Sequence, residues 1–90
     1  MTRRKDNSGF IYLVHCEGFY KIGIATNLRK RVSNIQTSNP FKVTLVAYTK
    51  TENVFADELE LHELFKDKRV RGEWFKLNDD DLFYLREILL

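Results

Sequence analysis

Ninety residues allow one small domain; two would each be too small to bury a core. Hydrophobic residues at 43% and aromatic residues at 13% exclude disorder along the whole chain. The net charge of +2 hides an asymmetry: residues 1–50 carry nine basic against two acidic side chains, and residues 51–90 carry six against eleven. A chain polarised in this way offers a polyanion one basic face. No apolar run approaches the roughly 20 residues of a membrane span, so no membrane partner is expected. The basic start, Met1 to Asp6, lacks the apolar stretch of a secretory signal. Cys16 is the only cysteine, which excludes an internal disulfide and fits a cytoplasmic protein.

Residues 1–8 read as a flexible basic arm and residues 9–90 as one domain. Phe10 to Val14 is rich in β-branched and aromatic residues and predicts a strand. Glu17-Gly18 supplies a two-residue hairpin turn, and Phe19 to Ile24 the partner strand. Thr26 or Asn27 caps a helix from Leu28 to about Gln36, with Leu28, Val32 and Ile35 on its buried face. Ser38-Asn39-Pro40 ends it, because proline disfavours helical geometry in the residue before it. Val43 to Thr49 is a third strand. Thr51 or Asn53 starts a second helix that runs to about Phe65. Lys66 to Gly72 reads as a basic turn, and Glu73 to Leu77 as a short extended piece. Asn78 or Asp79 caps a last helix whose Leu82, Leu85, Ile88 and Leu89 form a packing stripe. The order ββαβαα predicts an α+β fold, a small sandwich of sheet and helices.

At 100° per residue, Val54, Leu61 and Phe65 share one face of the second helix, and Glu58 falls inside that apolar arc. A carboxylate there costs several kcal/mol, of the order of 3–5, unless it is paired or holds a metal. Two accounts stay open: a half-buried Glu58 bonded to a backbone amide or arginine, or a functional group. His62 borders the same arc, as a satisfied histidine or a ligand. Arg31 borders the apolar stripe of the first helix, where its stem can lie on the sheet and its fork reach a cleft. Arg29 and Lys30 point outward, and Gln36 lies on the opposite margin within reach of a sugar or base. The hairpin register sets Tyr12 opposite Gly23 and diagonal to Lys21. In that register an ammonium beside the phenol lowers its pKa, and the glycine leaves room for a substrate atom. Trp74 reads as core before base-stacking. His15, Cys16 and His62 have no recognised zinc spacing. A phenol, an ammonium, a guanidinium and a carboxylate from four elements are the parts that phosphodiester hydrolysis needs.

Phe10-Ile11-Tyr12, Lys21-Ile22-Gly23, Arg31, Glu58 with His62, and Gly72-Glu73-Trp74-Phe75, in this order, resemble the GIY-YIG endonuclease superfamily. The likeness is to its small branch with KIG in place of YIG, and it runs from Gly9 to about Leu77. Two positions depart from the founding pattern: Phe10 follows the glycine at Gly9, and Lys21 stands for the second tyrosine beside Tyr20. The resemblance implies a central three-stranded antiparallel sheet flanked by helices, and cleavage of nucleic acid, DNA in preference to RNA, with one Mg²⁺ or Mn²⁺ ion. It implies Tyr12 as general base, Arg31 as phosphate clamp and Glu58 as metal ligand; Lys21, as a departure from the pattern, either assists Tyr12 or marks a weakened active site. Tyr20, Gly23, Arg29, Lys30, Gln36 and His62 are then the expected substrate contacts. The chain would rely on a homodimer or a partner protein for targeting. The rival expectation is a weak or inactive nucleic-acid-binding module on the same scaffold, in which Arg3, Arg4, Lys5 and Lys42 are phosphate contacts. A regulatory protein that binds another protein through the acidic second half is a third.

Overall fold

The computed structural model describes residues 7–89. Most of the expected arm, with Arg3, Arg4 and Lys5, lies outside the described residues. Strand β1 (Gly9–Cys16) and strand β2 (Phe19–Ala25) form the expected hairpin. Glu17 and Gly18 both have positive φ, 50° and 83°, as the tight turn between right-twisted strands demands. Helix α1 (Leu28–Thr37) is capped by Asn27, whose side chain accepts from the Lys30 amide. Strand β3 (Thr44–Thr51) follows, and then helix α2 (Val54–Leu64), capped by Asn53. A 3₁₀ turn leads into β4 (Arg69–Arg71) and β5 (Trp74–Phe75). Helix α3 (Asp79–Leu89) opens with a reciprocal cap: Asn78 Oδ1 accepts from the Asp81 amide, and Asp81 Oδ2 from the Asn78 amide.

The sheet has five strands in the order β3-β1-β2-β5-β4. The class is α+β as expected, but the three-stranded sheet needs correction. The stretch read as a basic turn and an extended piece contributes a second, short hairpin about Gly72. Its outer strand, Arg69-Val70-Arg71, is exposed throughout, and the two arginines guard an edge that would otherwise template pairing with another chain. Charge and brevity erase the alternation by which strands are recognised.

Ile11 to Val14 are all buried because β1 is central and covered on both faces. On one face Ile11, Leu13 and Ile22 pack with Leu61, Phe65, Leu85 and Leu89, which places α2 and α3 there. On the other, Tyr12, Val14 and Ala25 pack with Ile35, and Leu28 and Val32 lie against them, which places α1 there. Of the stripe expected on α3, Leu85 and Leu89 are buried, whereas Ile88 is exposed. Among the described residues no helix is long and apolar enough to cross a membrane.

Candidate active site

The site lies where β5 stops. Its two residues pair with Tyr20 and Lys21 of β2, and the Ile22 amide still donates to the Glu73 carbonyl at 3.2 Å. On the side away from β1, no described strand lies alongside the rest of β2, so its outward carbonyls must bond elsewhere. His62 of α2 takes the Ile22 carbonyl at 2.8 Å, and Arg31 of α1 takes the Ile24 carbonyl at 3.1 Å. Two side chains from opposite faces of the sheet are thereby fixed on one edge, about 7 Å apart along the strand.

Tyr12 reaches the same edge from β1. It pairs with Gly23, and its ring lies across that glycine: a Cβ at position 23 would sit 2.6 Å from Tyr12 Cζ. The room expected for a substrate atom at Gly23 is filled by the Tyr12 ring. The ring is fully buried, and its hydroxyl has no hydrogen-bond partner. Burial raises its pKa above the ordinary 10.0; the Arg31 guanidinium opposes this, and the Glu73 and Glu58 carboxylates add to it. Arg31 thus stands close enough to favour the phenolate while missing normal hydrogen-bond geometry.

Glu58 completes the group. Its Oε2 is buried and unpartnered. Burial raises its pKa, and the neighbouring Glu73 carboxylate raises it further, against the pull of His62 and Lys21. Glu73 is the member that the residues alone did not place. Gly72 turns the chain with φ 55°, and Glu73 then meets Lys21 Nζ at 2.8 Å. The GEWF segment was its one signal in the sequence.

Several expected roles change. Lys21 was to lower the pKa of Tyr12, but its ammonium is bound to Glu73 and lies 5.9 Å from the Trp74 ring, and the phenol's pKa is raised instead. His62 has no nitrogen left for substrate or a metal's water. A carbonyl can only accept, so Nε2 donates to Ile22; Arg69 can only donate, so Nδ1 accepts from it at 3.3 Å. Gln36 donates to the Phe41 carbonyl and accepts from the Val43 amide, which pins the loop between α1 and β3. Tyr20 faces away from Tyr12 and packs on His15 at 4.9 Å. Arg29 and Lys30 are exposed on α1, and Arg29 borders a groove with Phe10, Leu28 and Tyr48 rather than the open edge. Tyr12, Arg31, Glu58, Glu73 and Lys21 are brought together.

A divalent cation fits this donor set. A buried carboxylate oxygen without a partner, beside a second carboxylate, is the kind of desolvated charge that a bound cation neutralises. Among the described residues no cluster of three or more His, Cys, Asp or Glu side chains could hold a metal alone, so water and a ligand's oxygens would complete the shell.

No curated protein and no solved structure is significantly similar to the chain. Residues 9–89, from the first residue of β1 to the last of α3, match the model of the T5orf172 domain, a small domain found in phage and endonuclease-like proteins. A domain linked in this way to nuclease and DNA-binding functions agrees with a site of two carboxylates, a guanidinium and a phenol on one strand edge. By that match, which spans all of its described secondary structure, the chain belongs to the T5orf172 domain family.

Proposed function

We propose that the protein is a metal-dependent endonuclease of the GIY-YIG type that hydrolyses phosphodiester bonds, in DNA before RNA. One observation carries the reading: Glu58 Oε2 is buried without a partner on the edge that also gathers Tyr12, Arg31 and Glu73. A fold keeps an orphaned carboxylate when function uses it.

Glu58 would hold Mg²⁺ or Mn²⁺, with Glu73 beside it. When bound, the cation would stabilise negative charge on the leaving oxygen. Arg31, steadied on the Ile24 carbonyl, offers its guanidinium to the phosphate as charge builds in the transition state. Tyr12 in its phenolate form would take the proton of the attacking water and become the neutral phenol, and Arg31 favours the phenolate that must be present beforehand. Lys21 holds Glu73 in place rather than holding the phenolate. His62 binds the edge carbonyl and keeps α2, and with it Glu58, against β2.

A nucleic-acid-binding module without catalysis is the second reading. The full burial of Tyr12 and the upward shift of its pKa favour it, because a buried phenol is a poor base at neutral pH. Incubation with single- and double-stranded DNA and RNA, in Mg²⁺, Mn²⁺ or EDTA, separates the two. Cleavage that needs metal and is absent in Glu58→Ala supports the nuclease. Salt-dependent binding with no cleavage under any metal supports the module.

A further inference from the structure

An apolar groove of about 360 Å³ opens beside the site, on the hairpin side of Trp74. Phe19, Phe41, Val70 and Trp74 line it together with Arg71. Phe41 and Val70 are each more than half exposed, a poor arrangement for side chains that only pack. Cations lie on two of the rings: Lys76 Nζ is 5.0 Å from the Phe19 ring, and Lys21 Nζ, which also pairs with Glu73, is 5.9 Å from the Trp74 ring; Glu17 and Arg71 line the groove beside them. Exposed rings set among ammonium and guanidinium groups suit a ligand with flat apolar faces on an anionic backbone. Trp74 also makes the groove continuous with the site, since Lys21 contacts its ring and Glu73 precedes it.

We propose that this groove receives an unpaired nucleobase, so that the chain binds a single-stranded segment of nucleic acid next to its open edge. The proposal deepens the nucleic-acid reading above and rests on it, but not on catalysis. A base would stack on Phe41 or Trp74, while Arg71 and Lys76 meet the flanking phosphates. Duplex ends, in which every base is already stacked, gain little from such a groove.

Trp74 is the only tryptophan, so its fluorescence reports the groove directly. The whole chain in EDTA is titrated with a 15-nucleotide oligothymidylate and, separately, with a blunt duplex of the same length. The oligothymidylate should quench Trp74 to saturation at lower concentration than the duplex. Phe41→Ala should weaken that binding about tenfold and Phe41→Tyr should restore it, as loss and return of a stacking ring require. Arg71→Ala should lower the slope of log affinity against log salt by about one. Equal quenching by both nucleic acids, or Phe41→Ala binding like the wild type, overturns the proposal. So does a groove covered instead by a second copy, seen as a protein-concentration-dependent Trp74 shift without nucleic acid. EDTA keeps the outcomes separate: quenching without cleavage in Mg²⁺ breaks only the nuclease reading, and cleavage without quenching breaks only this one.

Discussion

Glu58 on α2 and Asp81 on α3 are carboxylates on neighbouring helices, and they have opposite fates. Burial alone would raise the pKa of Asp81, but the Lys68 ammonium at 2.5 Å and the Asn78 amide at 2.9 Å outweigh it and hold the carboxyl below its usual range. Glu58 has one oxygen with no partner, a like charge beside it, and a pKa above the usual range. Asp81 starts a helix and ties it to the 3₁₀ turn. Glu58 is left with an unpartnered oxygen and sits among the groups proposed to do chemistry. A carboxylate satisfied twice serves the fold, and one left bare at a shared edge is the better candidate for a ligand.

The comparison breaks most easily at Glu58. Glu58→Ala should abolish metal-dependent cleavage and leave the metal-free fold more stable at pH 8, by about 1 kcal/mol. The folded pKa lies above the unfolded value of about 4.5, so the cost is absent below that value and complete above the folded pKa. The stability gap between variant and wild type should therefore open as pH rises, which denaturant melts at pH 4 and pH 8 will show. Destabilisation at pH 8 would make Glu58 structural, like Asp81.

Tyr12→Phe comes next. Removal of a general base lowers the cleavage rate by about 10²–10⁴-fold. The hydroxyl has no partner to lose, so thermal stability should hold or rise. In the wild type the rate should climb with pH above neutrality, because the phenol's pKa is raised. A flat pH–rate profile at saturating metal would make Tyr12 a packing residue.

Asp81→Ala tests the other arm. Loss of the cap and of the ion pair should cost about 1–2 kcal/mol at pH 7 and leave cleavage unchanged. A depressed carboxyl stabilises the fold above the unfolded value of about 3.8, and that stability fades as pH falls through the folded pKa. Wild type and variant should hence converge in acid.

The smallest effect is expected at Lys21. Because its ammonium lies on Glu73, Lys21→Met should leave the alkaline rise of the rate where it is and change metal dependence instead. A rise displaced to higher pH would return Lys21 to the phenol.

Local pattern determined much of this protein by itself. The hairpin turn at Glu17-Gly18, the pairing of Tyr12 with Gly23 and the burial of Val54, Leu61 and Phe65 all follow from turn chemistry and periodicity, and the caps of α1 and α2 narrow to two candidates each, of which the structure uses Asn27 and Asn53. Those rules act over a few residues, so spacing alone reveals them. Glu58 within an apolar arc was legible for the same reason. Only the tertiary structure decided who meets whom at the edge. Lys21 and Glu73 are 52 residues apart, and the pair exists because a two-residue strand docks on β2 and then stops. His62 binds the Ile22 carbonyl 40 residues away, a partner that helix periodicity does not reveal. A bond between distant residues leaves no periodic mark in the chain, and it forms only once packing has set the elements side by side.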